Sequence, residues 1–522
     1  MLKKYFMVFL VVIMALVSAC SNDTSAPEEK DEEKAPNEGT ENSTLVSKDP
    51  MEMTIHLHYN NGNVVFDDNW KTFEVAAEKT NVSLKGVAPK SSTDSAEAFN
   101  LMVASGEIPD LVQGSKVNLN KYGKEGAFLP LQDLIKEHAP NIQKYLDEMP
   151  EITKISNASD GNLYHIPFIA DGEAAEGWFV RQDWLDKLEL EVPQTTEELY
   201  TVLKAFREQD PNGNGKKDEI PYFTRINYRV ADLATLWGGF GSFYIKDGKV
   251  AFGPYEKEFS DAMENIAKWY SEGLIDPEIF TRGNNARDEL LGNDIGGATH
   301  DWFGSTANYN NTLKSQIPDF NFVPMAPPEN TKGNRVEPTI RSPFGNLSGV
   351  AIGYSNEDPV AAIKYLDFFF TEEGRRLMNY GVEGETYTLE GGKPVFTEEV
   401  LSSSDIPGKL REIGAQVIFP YHQDFEYEKQ WMNPIAVQGA EDYIKNDYFM
   451  DHYPFVTMTD EEEKLYNDLQ PQIMTYINET MQKWILGAED VDYENFKSRL
   501  DQMGVKDLIK IHEDAYERYL ND

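Results

Sequence analysis

The sequence contains only one cysteine, Cys20, in 522 residues. A chain with one cysteine cannot form an intramolecular disulfide. The GxSxG pattern of a serine-hydrolase nucleophile elbow is also absent. Pairs of carboxylates are no evidence for a glycosidase, because 89 Asp and Glu residues make such pairs common. We therefore expect no enzyme activity.

Basic residues are scarce as well. Lys and Arg number 48, so the formal net charge is -41 and the sequence pI is about 4.5. Nucleic-acid binding requires basic surface that neutralises phosphates. The composition excludes that class, and it also argues against attachment to an anionic membrane through a broad basic patch.

Long hydrophobic runs are missing except for a short one at the N-terminus. Lys3 and Lys4 precede an apolar segment of 12 residues, 6–17, which is shorter than a transmembrane helix needs. Small residues then lead to Cys20 in the stretch VSAC, as bacterial lipoprotein processing requires. The sequence predicts a signal peptide over 1–19 and a diacylglycerol on Cys20, which anchors the protein at the outer face of the cell membrane. The alternative is an ordinary signal peptide followed by an incidental cysteine.

The segment that follows Cys20 has almost no large apolar side chains. Residues 21–50 hold nine acidic residues, three lysines and three prolines. Such a segment cannot bury enough apolar surface to offset its conformational entropy. We assign residues 20–50 to a disordered acidic tether.

Alternating strand and helix patterns begin after the tether. Residues 53–59 alternate as a strand does, and residues 195–206 carry a capping-box pattern, Thr195 to Glu198, followed by one apolar face. Residues 460–522 read as almost wholly helical. Strands that alternate with helices predict an α/β fold with a mostly parallel sheet, and 522 residues favour two lobes.

Several segments resemble the large extracellular solute-binding lipoproteins (family 1) of carbohydrate ABC importers. The resemblance is to the Gram-positive lipoprotein subfamily and the alginate-oligosaccharide binding proteins, and it covers essentially the whole chain in family order. The matching segments are SGEIPDLV (105–112), DGNLYHIP (160–167), RQDWLDKL (181–188), DPNGNGKKDEIP (210–221), GVEGETY (381–387) and YENFKSRLDQMGVKDLIKIHEDAYERY (493–519).

The resemblance implies a type II periplasmic-binding-protein-like fold with two α/β lobes, a hinge and an oligosaccharide in the cleft. By that analogy, the N-terminal lobe comprises 51–182 plus 345–430, and the C-terminal lobe comprises 183–344 plus 431–522. It also implies delivery of the sugar to ABC permease subunits by a monomeric receptor. A surface polysaccharide hydrolase or lyase, and a receptor for a non-sugar solute such as a peptide, stay open as alternatives.

The stretch DPNGNGKKDE, 210–219, suggests a calcium loop. A phosphate-binding P-loop is excluded, because Asp210 and Lys217 stand where that motif needs Gly and Ser or Thr. Ca²⁺ prefers hard oxygen ligands on a tight glycine-containing loop. The predicted ligands for a structural Ca²⁺ are the side chains of Asp210, Asn212, Asn214, Asp218 and Glu219 and the backbone carbonyl of Lys216. The site is not an EF-hand, because Pro221 replaces the twelfth-position Glu, and a surface turn without metal is the alternative.

Aromatic residues in polar, loop-like surroundings are the candidates for a sugar site. Sugars present apolar C–H faces together with hydroxyl groups, so aromatic platforms and polar hydrogen-bonding side chains hold them. For any one of these residues, packing is the alternative role. The predicted ligand-binding residues are Trp302, Trp431, Trp237, Trp178, His300, Asp301, Asn310, Arg341, Asp171 and Glu173.

The remaining tryptophans and one histidine pair are assigned to structure. Helix-like patterns surround four tryptophans, so these are expected to pack in the core. His56 and His58 would lie on one face of a strand, but no third zinc ligand is apparent near them. The tryptophans assigned to packing are Trp70, Trp184, Trp269 and Trp484.

Overall fold

The computed structural model describes residues 44–60, 63–170, 172–225, 227–341, 343, 347–403 and 405–521. The predicted signal peptide, Cys20 and most of the predicted tether lie outside these residues. The end of the assigned tether contacts the folded body: the Val46 N–H donates to the carbonyl of Thr80 at 2.9 Å, and the Asn81 amide donates to the carbonyls of Ser47 and Lys48 at 3.2 and 3.1 Å. The ordered chain therefore starts before residue 50.

The first sheet has five strands and is mostly parallel. Strand Gly349–Ile352 is its exception, because it runs antiparallel to both of its neighbours. The strands, in spatial order, are Val82–Gly86, Met51–His56, Leu111–Gly114, Gly349–Ile352 and Ile166–Pro167.

The second sheet has four strands and is built around an antiparallel one. Glu176–Arg181 is buried along its whole length and runs antiparallel to the strands on either side. The spatial order is Phe322–Met325, Glu176–Arg181, Gly296–Trp302 and Ile220–Tyr222.

Both sheets are thus mixed, and the expectation of mostly parallel sheets was wrong for the second. The antiparallel strand of each sheet, Glu176–Arg181 or Gly349–Ile352, is hydrogen-bonded on both sides. A fully buried strand reads as a continuous apolar run whichever way it points. The sequence pattern therefore carries no signal for strand direction.

Four further strand pairs are short. They are Phe243–Lys246 with Lys249–Phe252, Tyr387–Glu390 with Lys393–Phe396, His58–Tyr59 with Val64–Val65, and His422–Gln423 with Ile169–Ala170.

Helices cover the sheets and form most of the C-terminal region. The α-helices are Lys71–Thr80, Ser95–Ser105, Lys116–Lys124, Gln132–His138, Pro140–Glu148, Pro150–Ser156, Gln182–Lys187, Thr196–Glu208, Lys257–Ser271, Ala286–Gly292, Phe303–Ala307, Tyr309–Thr312, Pro359–Phe368, Glu372–Tyr380, Glu398–Leu401, Ile406–Arg411, Phe425–Lys429, Pro434–Asn446, Asp460–Ile485, Tyr493–Gln502 and Val505–Asn521. Short 3₁₀ segments are Asn227–Trp237, Gly253–Tyr255 and Gly283–Asn285.

The two largest clusters of buried apolar side chains among the described residues each lie against a different sheet. One cluster draws on residues 53–169 and 347–421, and the other draws on residues 178–325 and 473–508. Trp70 belongs to the first, and Trp184, Trp269 and Trp484 belong to the second, so the four tryptophans assigned to packing are buried as expected. The exact points at which the chain crosses between lobes stay a prediction.

The predicted capping box at Thr195 forms only in part. The Thr195 hydroxyl accepts the N–H of Glu198 at 3.2 Å, as predicted. The Glu198 carboxylate, however, accepts the N–H of Gln194 at 2.7 Å in place of the Thr195 N–H. A complete capping box occurs at Thr459 and Glu462, where it opens the long helix Asp460–Ile485.

Arg181 is a fully buried cation at the end of the central strand of the second sheet. Its guanidinium donates twice to Asp183, at 2.9 and 2.6 Å, and once to Asp294, at 2.6 Å. The rings of Trp184 and Phe320 lie 4.5 Å from the guanidinium. Two carboxylates compensate the desolvated charge, so this cluster tolerates substitution poorly.

Substitution Arg181→Leu should destabilise the protein strongly. Removing one partner of a buried ion pair costs about 3–5 kcal/mol, because the buried Asp183 carboxylate loses its compensating charge. Urea unfolding followed by circular dichroism measures the loss. As a control, Arg376→Leu removes a cation whose partner Glu372 is 92% exposed, and it should cost less than about 1 kcal/mol. Equal losses for the two variants would contradict the assignment.

Candidate sugar-binding cleft

The carboxyl ends of the strands mark where a ligand site is expected. In α/β sheets, ligands bind outside these ends. In the second sheet, three strands run in the same direction and end at Tyr222, Trp302 and Met325, next to the beginning of the antiparallel strand at Glu176. The polar side chains of this edge are the ones to consider as a binding site.

Trp302 is the exposed aromatic residue of this edge. Its side chain is 45% exposed, whereas the chain's other seven tryptophans are buried or half-buried. It is the last residue of strand Gly296–Trp302, so the sheet fixes its backbone. An exposed indole on a rigid strand end can serve as a platform for the apolar face of a sugar ring.

Asp301 is held in place directly beside this platform. Its carboxylate accepts two hydrogen bonds from Arg225, at 2.7 and 2.6 Å, and Arg287 lies 3.5 Å away. Burial alone would raise the pKa of Asp301, but the hydrogen bonds from Arg225 and the charge of Arg287 hold it below its ordinary value. Asp301 is therefore an ionised acceptor next to Trp302.

A second ion pair lies at the beginning of the antiparallel strand. Both terminal nitrogens of Arg229 contact the carboxylate of Glu176, one of them at 2.8 Å. The Thr339 hydroxyl donates to the same carboxylate at 3.3 Å. Sequence reasoning missed Arg225, Arg229 and Glu176, although the arginines follow strand Ile220–Tyr222 within a few residues.

Trp431 packs close to the same edge. Its half-buried ring lies 3.8 Å from the position that a Cβ would occupy on Gly304, two residues after Trp302. The indole Nε1 has no hydrogen-bond partner among the described residues. Trp431 therefore packs beside the segment that carries Trp302, and its indole N–H is buried.

His300 and Asn310 are buried and engaged in the fold. His300 lies 3.0 Å from the Glu337 carboxylate. Burial lowers its pKa, but the charge and hydrogen bond of Glu337 together with the charge of Asp232 raise the pKa overall. The Asn310 amide donates to the carbonyls of Ala307 and Phe322 and accepts the Phe322 N–H. These contacts leave both side chains with structural roles.

Trp178 and Trp237 also pack in the second core. The Trp178 side chain is 2% exposed, and its ring lies 5.8 Å from that of Tyr222. Trp237 is half-buried, and its ring meets that of Trp269 edge-on at 5.0 Å. The structure therefore brings neither indole to the surface beside Trp302.

Arg341 and Glu173 form an ion pair with each other. The Arg341 guanidinium contacts Glu173 at 2.7 Å and Asp447 at 2.5 Å, and the Phe449 ring lies 4.6 Å from it. Arg341 also lines a cavity of about 610 Å³ under segment 447–455. Asp171, the last predicted ligand residue, lies outside the described residues.

The predicted calcium loop is closed by its own hydrogen bonds. The Asp210 carboxylate accepts the N–H groups of Asn214 and Gly215, each at 3.0 Å, and the Asn212 side-chain oxygen also accepts the Asn214 N–H. The Asn214 amide donates to Asp218 at 3.0 Å. The described residues contain no group of three or more His, Cys, Asp or Glu side chains placed to hold a metal.

Glu219 is nevertheless a carboxylate that lacks a partner. Its side chain is fully buried, and neither oxygen has a hydrogen-bond partner among the described residues. Burial raises the pKa of Glu219, and the nearby charges of Asp218 and Asp210 raise it further. A cation held by the loop would remove this penalty, so the donor set fits Ca²⁺.

The histidine pair at the first two strands was assigned to structure. His56 and His58 are buried, and the described residues place no cluster of three or more His, Cys, Asp or Glu side chains around them. Burial and the neighbouring His58 lower the pKa of His56 to about 4.

Across residues 44–521, apart from the gaps given above, no helix has the length and apolarity to cross a membrane.

Comparison with known proteins identifies relatives over the whole chain. The protein FusA of Streptococcus pneumoniae, named as a fructooligosaccharide ABC transporter substrate-binding protein, is 27% identical over 558 residues and covers 98% of this chain and 97% of FusA. Lipoprotein LipO of Bacillus subtilis is 28% identical over 316 residues, which are 58% of this chain and 60% of LipO.

Solved structures show the same fold. The alginate-binding protein AlgQ2, crystallised without calcium ion, is 40% identical with a TM-score of 0.78, covering 91% of this chain and 99% of AlgQ2. A FusA EF-hand mutant in complex with fructo-nystose is 25% identical with a TM-score of 0.70, covering 91% of this chain and 100% of FusA. These likenesses confirm the predicted type II periplasmic-binding-protein-like fold with two α/β lobes. The family of bacterial extracellular solute-binding proteins matches this chain over residues 56–376, and the chain belongs to that family.

Proposed function

We propose that the protein is a membrane-anchored, monomeric receptor that captures an oligosaccharide between its lobes and delivers it to an ABC importer. The observation that carries the proposal is the exposed Trp302 ring at a strand end, next to an Asp301 carboxylate fixed by Arg225. The ligands named for FusA and AlgQ2, fructooligosaccharide and alginate, support a sugar. A hydrolase, a lyase and a peptide receptor are the alternatives.

The chemistry of the edge suits a sugar. The indole of Trp302 can cover the C–H face of a ring, and the Asp301 carboxylate can accept hydroxyl protons. An arginine has five N–H donors, so Arg225 can serve Asp301 and still donate to a ligand. Buried polar groups of this kind discriminate between ligands, because a missing hydroxyl leaves them unpaired.

Capture requires that the ligand binds the closed state more tightly than the open state. A ligand that contacts both lobes only when they close shifts the population toward the closed state. Binding by closure needs no bond making, so we propose that the protein has no enzyme activity. Its homologues are named as binding proteins, which agrees with this proposal.

Substitution Trp302→Ala should weaken oligosaccharide binding by a factor of about 10 or more, because loss of an aromatic platform costs on the order of 1–3 kcal/mol. Isothermal titration calorimetry against plant and algal oligosaccharides, preceded by a native mass spectrometry screen, measures this. Tyr354→Ala is the matched control: Tyr354 is 54% exposed and lies beyond the opposite end of the first sheet. Equal affinities of wild type and the Trp302 variant would contradict the site.

The same ligand should compact the protein. Small-angle scattering with and without saturating sugar is the measurement, and unchanged dimensions would contradict closure. Turnover of any of these glycans would establish the enzyme alternative, and binding of peptides without any sugar would establish the peptide receptor.

We further propose a structural Ca²⁺ in loop 210–219. The buried Glu219 carboxylate and the oxygens of Asp210, Asn212, Asn214 and Asp218 supply the donors, together with the Lys216 carbonyl. The EF-hand named in FusA supports calcium in a relative. The loop is tied to the second core, since the Asn212 amide donates to the carbonyl of Asp294 at 3.0 Å and Asp294 binds Arg181.

Calcium should raise the melting temperature of the chelator-stripped protein. At 100 times the Kd, binding stabilises the folded state by about 2.7 kcal/mol. Glu219→Gln should lose this gain, yet it should be at least as stable as wild type in chelator, because it removes a buried charge that has no partner. Glu208→Gln, which changes an exposed residue at the end of the preceding helix, is the control. If calorimetry detects no heat of calcium binding, the loop is a surface turn without metal.

We also propose lipid attachment at Cys20. A relative named as a lipoprotein supports it, and the two acyl chains of a diacylglycerol are enough for stable anchoring. Cys20→Ser should release the protein from the membrane fraction into the medium, whereas wild type should carry the mass of a diacylglycerol adduct on its N-terminal peptide. A wild-type peptide of unmodified mass would contradict lipidation.

A further inference from the structure

Asp232 is a further carboxylate close to the proposed sugar-binding edge of the second sheet. It lies in segment Asn227–Trp237, which follows strand Ile220–Tyr222. Burial raises the pKa of Tyr222 well above its ordinary value, and the charges of Asp232 and Asp301 raise it further. Both carboxylates therefore lie close to the Tyr222 hydroxyl, which places Asp232 near Asp301 at the end of the sheet.

Two carboxylates of this edge are already committed to protein donors. Asp301 accepts two hydrogen bonds from Arg225 and a third from the backbone N–H that follows it, at 2.8 Å. Glu176 accepts two from Arg229 and one from the Thr339 hydroxyl. An ionised carboxylate has about four lone-pair sites, so each of these groups has little capacity left for a ligand.

A third carboxylate, Glu337, is closed off by the fold. Its side chain is fully buried. Its oxygens lie 3.1 and 3.0 Å from the His300 ring nitrogen, and one of them accepts the Thr339 N–H at 2.8 Å. Glu337 therefore holds its neighbours in place and does not face a ligand.

Asp232 differs from all three of these carboxylates. Its side chain is half-buried, and its backbone carbonyl accepts the Thr235 hydroxyl at 2.7 Å. The carboxylate itself has no hydrogen-bond or ion-pair partner among the described residues. Both of its oxygens are thus open to a ligand.

The charges that face Asp232 do not compensate its burial. Burial raises the pKa of Asp232 to about 6; the charges of His300 and Arg229 act in the opposite direction, and that of Glu337 raises it further. Helix Lys257–Ser271 packs on the segment, but its described residues add no charge to this balance. A carboxylate that is desolvated without a partner is costly, and such groups concentrate at functional sites.

We propose that Asp232 binds the sugar as a carboxylate that accepts hydrogen bonds from its hydroxyl groups, so that a proton on Asp232 competes with sugar capture. This inference rests on the proposed receptor function. Sugar hydroxyls are donors that need acceptors, and Asp232 is the carboxylate near this edge with both oxygens open. Hydrogen bonds to the ionised form stabilise that form, so a bound sugar displaces the proton.

The first test finds a probe for the full wild-type chain. Calorimetry at neutral pH measures the affinities for kestose, maltotriose, cellotriose, xylotriose and mannuronate trimer, and the tightest binder becomes the probe. If none of these sugars binds, the receptor function fails and the inference falls with it. Once a probe binds, the next two tests concern Asp232 alone.

The second test changes the carboxylate. Asp232→Asn should lose tenfold or more in affinity for the probe, because the amide removes the charge and one acceptor oxygen. Asp319→Asn, the same change in an exposed residue before strand Phe322–Met325 and so at the opposite end of the sheet, should stay within twofold of wild type. Thermal melts should show Asp232→Asn at least as stable as wild type, since it removes an unpaired charge. Wild-type affinity in folded Asp232→Asn overturns the inference and leaves the receptor function standing.

The third test is the pH dependence of the wild type, which needs no variant. Affinity should be constant above the pKa of about 6. Below that pH it should fall by up to tenfold per pH unit, because the sugar binds the ionised carboxylate and must displace a proton. Calorimetry in buffers of different ionisation enthalpy should show proton release on binding at about pH 5 and none at about pH 8.

The matching profile of Asp232→Asn identifies the group that titrates. This variant should show no pH dependence, whereas Asp319→Asn should follow the wild type. A purely structural carboxylate would give no proton release on sugar binding. A flat wild-type profile overturns the inference, and so does a pH dependence that Asp232→Asn retains, because the proton then belongs to another group such as His300.

Discussion

The antiparallel strand Glu176–Arg181 is the constraint on which the second lobe depends. It is buried along its whole length and hydrogen-bonded to a strand on each side. Its two ends carry opposite charges, and each end organises a different site. Glu176 at one end holds Arg229 beside the proposed sugar-binding edge, and Arg181 at the other end holds Asp294.

This arrangement explains why the proposed calcium loop and the sugar edge occupy opposite ends of the same sheet. Asp294 also contacts the loop, because its backbone carbonyl accepts a hydrogen bond from the Asn212 side-chain amide. The strand that ends at Trp302 begins just after Asp294, at Gly296. A cation in the proposed calcium loop would support the strand that carries Trp302 without contacting the proposed sugar-binding edge. The effect is on position, since none of these contacts reaches the exposed indole.

The sequence allowed some of the site to be predicted and hid the rest for physical reasons. Trp302 could be proposed from the sequence because it stands in the polar stretch GGATHDWFGSTANYN, and the structure leaves its ring exposed. Trp178 looked equally exposed in sequence, yet the sheet buries it to 2% exposure, since strand direction and pairing decide which face a residue occupies. Arg225 and Glu176 were missed because their role depends on partners that are distant in the chain.

The proposed calcium loop, by contrast, could be predicted almost entirely from the sequence. All its predicted donors lie within ten residues, so local spacing suffices to propose it, and the structure adds only that Glu219 is buried without a partner.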